Sequence, residues 1–145
     1  MMHAYRLVRL IETHAAGLAN GLQNKIDASD RVHDYHSKVP REELTKVVNE
    51  IYQNLGQWLL AKTESDIESR YVKIGMRRAK QGVPQSQVLW VIALVKENLW
   101  EYLKQEHVLE KPVEIFGSLE MLELLEQFFD RAMYYASVGY EKSRA

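Results

Sequence analysis

The histidines have the widest chemical range of any side chains in this sequence, and two of them lie close together in the segment RVHDYH. His33 and His36 are three residues apart, with Asp30 and Asp34 beside them. On a helix this spacing places two imidazoles on one face, where they could bind a metal. No HExxH motif or further His-x-x-Glu pair supplies the remaining ligands. We therefore interpret the pair as solvent-facing residues of a polar connection and predict no bound metal.

Two other histidines are candidates for a haem ligand, because helical globins hold their iron through a proximal histidine. His14 lies in the first predicted helix, and His107 ends the helix with the longest apolar run. Neither is in the middle of a helix with apolar residues on both sides. A histidine near a helix C-terminus is favourable there without any ligand. The sequence thus predicts no cofactor, and a haem or small-molecule sensor is the alternative.

Residues for other catalytic chemistry are missing from the sequence. The chain contains no cysteine, which removes disulfides, thiolate metal ligands and cysteine nucleophiles. It has no Gly-rich phosphate loop, dinucleotide fingerprint or nucleophile triad. Trp58, Trp90 and Trp100 could line a pocket, but aromatic residues at helical spacing more often belong to a core. We predict that the protein is not an enzyme.

The longest apolar run indicates the element around which the others pack. Apolar residues occupy Val88–Val95 without interruption. At about 100° per residue such a run reaches every side of a helix, and a helix that is apolar all round must be buried. Gly82 breaks the chain before it, and the fixed φ of Pro84 suits the first turn of a helix. We predict a central helix over residues 84–107.

Further helical segments flank this central helix. We predict that its residues Trp90 and Leu94 are buried in the core between them. In each segment apolar residues recur every three to four positions, the pattern of an amphipathic helix. Thr63 is followed three residues later by Asp66, a pairing that caps a helix N-terminus. We predict helices over residues 4–18, 40–62, 63–82 and 112–140, with a loose helical connection over 20–38. The predicted fold class is all-α: a five- to six-helix globin-like bundle that forms a single domain over residues 1–145.

A basic cluster closes the segment before the central helix. Lys73, Arg77, Arg78 and Lys80 lie near the C-terminus of their helix. Such a cluster could bind phosphate or an acidic partner, but cations at this end also complement the helix dipole without any ligand. A glycine inside a helix costs about 1 kcal/mol relative to alanine. Gly75 in this helix therefore predicts a close approach of a neighbouring helix.

The two arginines of the cluster should differ in exposure. Arg78 falls on the same helical line as the apolar Tyr71, so we predict that it points inward, whereas Arg77 is exposed. A buried guanidinium needs a carboxylate or carbonyl partner. We expect Glu97 or Glu101 of the central helix to supply it.

The last predicted helix carries two apolar stripes. One has the residues to cover the core, and the other consists of Met121, Leu124, Phe128 and Tyr135. An uncovered stripe would form an exposed apolar patch, which usually marks an interface. Two-fold symmetry lets one patch cover another. We therefore predict a homodimer through this stripe, unless the first helix covers it within one chain.

Composition limits the partners and the location. The formal net charge is −1, so no global field draws the protein to nucleic acid or an anionic membrane. The apolar runs are too short to span a bilayer, and the N-terminal segment lacks the apolar core of a signal peptide. We expect a cytoplasmic protein that does not insert into membranes.

The segment IGMRRAKQGVP, from Ile74 to Pro84, resembles a family pattern. With the Leu-Trp-Glu triplet ending at Glu101, it is similar to the G-x-R-R-A-x-Q-G-V-P … L-W-E pattern of RsbRD-type N-terminal domains. The resemblance extends over residues 5–140 and includes three flanking segments, Pro40–Leu44, Leu55–Leu59 and Phe129–Ala132.

This resemblance implies a role in bacterial signalling. Domains of the family are input modules that precede histidine kinase or STAS-type output domains, and they are similar to the non-haem globin-like domains of stressosome proteins. They tend to dimerise. The resemblance therefore implies a sensory or protein-interaction domain without catalytic activity of its own, in a two-component or stress-response system. The residues that carry it are Gly75, Arg77, Arg78, Gly82 and Pro84.

Overall fold

The fold is all-α, as the apolar periodicity predicts. A computed structural model describes residues 2–106 and 112–144, and the side chains of 6–106 and 119–144. His107 lies outside the described residues. Within them the chain forms eight α-helices, one 3₁₀ helix and no β-strand. The helices are α1 Met2–Thr13, α2 Ala15–Ala28, α3 His33–Lys38, α4 Arg41–Gln53, α5 Leu55–Leu60, α6 Glu64–Lys80, α7 Gln85–Gln105 and α8 Pro112–Arg144, and the 3₁₀ helix is Asp30–Val32.

Two of the predicted helices are each divided into a pair by a local bend. The first bend falls at His14, between α1 and α2, and the second at Asn54, between α4 and α5. At both bends the side chain hydrogen-bonds the backbone carbonyl four residues earlier: His14 Nδ1 is 2.9 Å from Leu10 O, and Asn54 Nδ2 is 3.1 Å from Glu50 O. Such local bonds compete with the regular helix. The apolar stripe continues across each bend, so periodicity alone does not reveal it.

The most extensive helix pair is α6 with α8, and its backbones touch. A Cβ added to Gly75 of α6 would lie 2.0 Å from the carbonyl oxygen of Ala136 in α8. The relation is reciprocal, because a Cβ added to Gly139 would lie 2.0 Å from the carbonyl oxygen of Val72. The close approach expected at Gly75 is confirmed, and Gly139 is its counterpart on α8.

Helix α7 contacts α2, α3, α6, α8 and the 3₁₀ helix, which is the central position predicted for it. Leu94 is buried, as expected. The prediction that Trp90 is buried is wrong: it is half-buried, and the guanidinium of Arg31 lies 4.7 Å from its ring centroid. The apolar run therefore reaches all sides of α7, but part of one side faces solvent.

Candidate functional site

The basic segment at the end of α6 forms a buried polar cluster with α3 and α4. Arg78 is 1% exposed. Its Nε donates to the hydroxyl of Tyr35 over 2.8 Å, and its Nη1 donates to Glu43 over 2.6 Å and to the side-chain oxygen of Gln81 over 3.0 Å. Hydrogen bonds from a buried guanidinium are strong and directional, so they fix the positions of the three partner side chains. The cluster thus joins three helices at one point.

Glu43 is the shared carboxylate of this cluster. Arg77 donates to it through Nε over 3.1 Å and Nη2 over 3.3 Å, and the side-chain amide of Gln81 also donates to it. The hydrogen bond from Arg77 is the largest cause that holds the pKa of Glu43 below its usual range, and partial burial opposes it. Glu43 therefore stays charged and holds both arginines.

The structure confirms the predicted difference in exposure between the two arginines and contradicts the partner predicted for Arg78. Arg78 is buried and Arg77 has a side chain 60% exposed, as the helical line predicts. The partner proposed for Arg78 is wrong: Glu43 of α4 takes that place. Glu97 is exposed, and Glu101 instead pairs with Lys25 of α2. Tyr35 of α3 and Glu43 near the start of α4 meet the end of α6 at this point, which local sequence spacing does not indicate.

A tight turn connects the cluster to α7 and α8. Gly82 has φ +81°, the left-handed conformation that ends many helices, and Val83 N donates to Arg78 O over 3.1 Å. Pro84 is the residue before α7. The hydroxyl of Tyr140 in α8 donates to the carbonyl of Val83 over 2.6 Å. The whole segment resembling the family pattern is thus a structural junction between α6, α7 and α8.

The four residues of the predicted dimer stripe do not form one exposed surface. Met121 and Phe128 are buried within the chain, at 3% and 2% exposure, so the expectation that they are uncovered in one chain is wrong. Phe128 packs against Trp58 of α5 and Tyr71 of α6, because these helices cover the second stripe. Leu124 and Tyr135 are half-buried, and the hydroxyl of Tyr135 donates to Glu64 over 2.7 Å. The dimer itself stays a prediction.

The histidine pair is exposed in the structure. His33 and His36 are both on the surface, and His36 Nδ1 lies 3.2 Å from a carboxylate oxygen of Asp27. Among the described residues, no group of three or more acidic or histidine side chains is arranged to hold a metal ion.

A small apolar cavity lies in the core beside Arg78 and Tyr35. Its volume is about 30 Å³, and its other walls include Ile51, Val91 and Phe129. This space has room for a molecule of about the size of water. This cavity is therefore too small for a porphyrin.

The polar residues that organise the interior were mostly missed by sequence reasoning. Asn98 is 6% exposed and lies among apolar residues of α7; its amide donates to Leu18 O over 2.8 Å and to the hydroxyl of Tyr52 over 3.3 Å. An asparagine on the buried line of an apolar helix is a signal that it binds polar partners inside the core. Tyr52 in turn donates to Val95 O over 2.9 Å.

None of the described helices has the length and apolar character needed to cross a membrane.

Comparison with known proteins gives the same family as the sequence pattern. No curated protein and no solved structure matches the chain. The family model described as the RsbT co-antagonist protein rsbRD N-terminal domain matches residues 12–145. This match includes every helix from α2 onward and the buried junction around Arg78. The chain therefore belongs to the family of rsbRD N-terminal domains, which are signalling domains.

Proposed function

We propose that this chain is the non-catalytic input domain of a stress-signalling protein and that it acts on a STAS-type or kinase output domain through α8. Membership of the rsbRD N-terminal family supports the signalling role. The family description names RsbT co-antagonists, so the partner of the output domain on this proposal is RsbT.

The observation that carries the proposal is the way α8 is held. It has 33 residues and is about 50 Å long, far longer than an average helix. Backbone contact at Gly75 and Gly139 fixes it against α6, and the hydroxyl of Tyr140 fixes it to the turn that follows. A change at the Arg78 cluster therefore has a continuous packed path to the last turns of α8.

We also propose that the protein acts as a homodimer, in which two copies of α8 present a pair of output domains. Large apolar side chains on the outer side of α8 support this arrangement: Leu119 is 48% exposed and Tyr134 is 64% exposed. The replacement of both residues by glutamate should convert a dimer to a folded monomer in sedimentation equilibrium. A monomer of the unmodified protein at tens of micromolar would exclude the dimer.

To test helical coupling, a STAS-type output domain is fused to the chain at Arg144 through a continuous helix. The amount of RsbT that the fusion captures is then measured. Inserting two alanines rotates the output domain by about 200°, whereas inserting seven restores its orientation to within about 20°. We expect the two-residue insertion to change RsbT capture and the seven-residue insertion to restore it. Equal capture by all three fusions would show that the domain does not act through α8.

A further inference from the structure

A surface cleft between α2 and α7 has the size and chemistry of a small-molecule site. Its volume is about 300 Å³, at the lower limit of the range of about 300–1,000 Å³ that is typical of ligand sites. Gly17 and Gly21 form the α2 wall, and Asn98, Glu101, Tyr102 and Gln105 form the α7 wall. His14, at the bend before α2, and Lys25 of α2 also line the cleft.

The packing of the described residues does not require the two glycines. They are one turn apart inside α2, where each costs about 0.5–1 kcal/mol relative to alanine. Among the described residues, a Cβ added to Gly17 would meet no atom within 4 Å, and one added to Gly21 would meet only the side-chain oxygen of Asn98, at 3.4 Å. At Gly75, by contrast, an added Cβ would collide with backbone. Gly17 and Gly21 therefore keep space open at the cleft, at a cost to the helix.

The opposite wall carries a hydroxyl group that lacks a partner. The oxygen of Tyr102 is buried and makes no hydrogen bond with the described residues. Its desolvation raises the pKa of this phenol, so the hydroxyl remains a neutral donor. Beside it, Asn98 uses its amide donors on Leu18 and Tyr52 and accepts a 2.8 Å bond from Lys25. Asn98 is thus a fixed part of the wall, whereas Tyr102 still has hydrogen bonds to make.

The charges at the cleft cancel each other. The ammonium group of Lys25 is paired with the carboxylate of Glu101 and also donates to Asn98, which leaves one of its three N–H groups. His14 Nδ1 is bonded to the carbonyl of Leu10, so its Nε2 is left to accept. The rings of His14 and Tyr102 lie with their centroids 5.7 Å apart. The cleft therefore offers both donors and acceptors, an aromatic edge and no net charge.

We infer that the α2/α7 cleft binds a small, uncharged planar heterocycle that has both hydrogen-bond donors and acceptors, of the size of a nucleobase. Aromatic side chains and the flat glycine surface accommodate a ring, and the paired charges do not favour a free anion or cation. The binding itself is independent of the proposed signalling role. Only the effect of the ligand on the output domain rests on that proposed function.

The test titrates the complete chain with adenine and with uracil, using amide chemical shifts in two-dimensional NMR. Acetate serves as a small anionic control ligand and methylammonium as a small cationic one. We expect saturable shifts from at least one base at Gly17, Gly21, Asn98 and Tyr102, and none from the charged probes. Absence of saturable shifts with both bases, or equal shifts with acetate, would overturn the inference.

A matched pair of variants locates the site. Gly17→Leu places an isobutyl side chain in the cleft and should abolish binding. Ala16→Leu places the same side chain at an exposed position of α2 and should bind as the unmodified chain does. Undiminished binding by Gly17→Leu would contradict the location. Should Gly17→Leu lose helical content, Tyr102→Phe provides the second test: it removes only the unpartnered hydroxyl, and we expect weaker binding with no loss of thermal stability. Unchanged binding by Tyr102→Phe would remove the role of that hydroxyl.

The effect on signalling is measured separately, as RsbT capture by the STAS fusion with and without the bound base. A change in capture supports the cleft as the input site. Binding without such a change would retain the cleft and refute its coupling to α8.

Discussion

Arg78 provides the sharpest test of the polar cluster, and Arg78→Met is the most informative change because methionine retains much of the side-chain volume. The variant loses the bonds to Tyr35, Glu43 and Gln81. A hydrogen bond that involves a charged group contributes about 1.5–3 kcal/mol, and a buried hydroxyl left without a partner costs about 1–3 kcal/mol. In this variant Glu43 retains its hydrogen bonds from Arg77 and part of its hydration. The loss of folding free energy is therefore smaller than for a buried charge that has lost every partner. We expect the free energy of unfolding to fall by about 2–4 kcal/mol.

The assay is urea unfolding followed by far-ultraviolet circular dichroism, with Arg77→Met as the matched control. Arg77 bonds the same carboxylate from an exposed position, where solvent screens the interaction. Its replacement should therefore cost only a small part of the Arg78 loss. Equal losses in the two variants would show that burial does not distinguish the two arginines and would refute the reasoning.

Four further results follow from the packing and the charges. Gly75→Ala should lower the melting temperature because its Cβ collides with the backbone of α8, whereas Gly17→Ala, whose Cβ meets no atom of the described residues, should raise it. Leu94→Ala should cost about 2–5 kcal/mol in urea unfolding, and a loss under about 0.5 kcal/mol would place Leu94 outside the core. The pKa of Glu43 is lower in the folded protein than in the unfolded chain, where it is about 4.5, so the charged carboxylate stabilises the fold. This stabilisation is complete above about pH 4.5 and is lost as the pH falls through the pKa of the folded protein. Glu43→Gln should therefore flatten the acid limb of a profile of stability against pH. Phe128→Glu should abolish the native helical signal, because the ring packs inside the chain; a folded variant would place Phe128 on the surface.

The parts of the fold that local periodicity determines could be predicted from the sequence. The all-α class, the span of α7, the cap formed by Thr63 and Asp66, and the end of α6 just before Gly82 all depend on residues close together in the chain. The burial of Arg78 was also predictable, since it lies on an apolar helical line.

Features that depend on distant contacts could not be predicted in this way. Glu43 is 35 residues from Arg78 in sequence, and nothing in its own segment distinguishes it from the other acids of α4. The burial of Phe128 depends on α5 and α6, which cover a stripe that looks free in α8 alone. The α2/α7 cleft has the same origin, because its two walls belong to segments about 80 residues apart.

The backbone contact between α6 and α8 at Gly75 and Gly139 also limits how α8 can move. The carbonyl groups of Ala136 and Val72 occupy the space where a side chain would otherwise stand. A slide by one helical turn, about 5.4 Å, would bring Tyr71 or Ala79 to the place of Gly75, where no Cβ fits. A slide of α8 along α6 by a full helical turn is therefore excluded while the contact holds. A twist or a tilt of α8 about the point where the two helices cross would leave the contact intact and would still move the ends of α8.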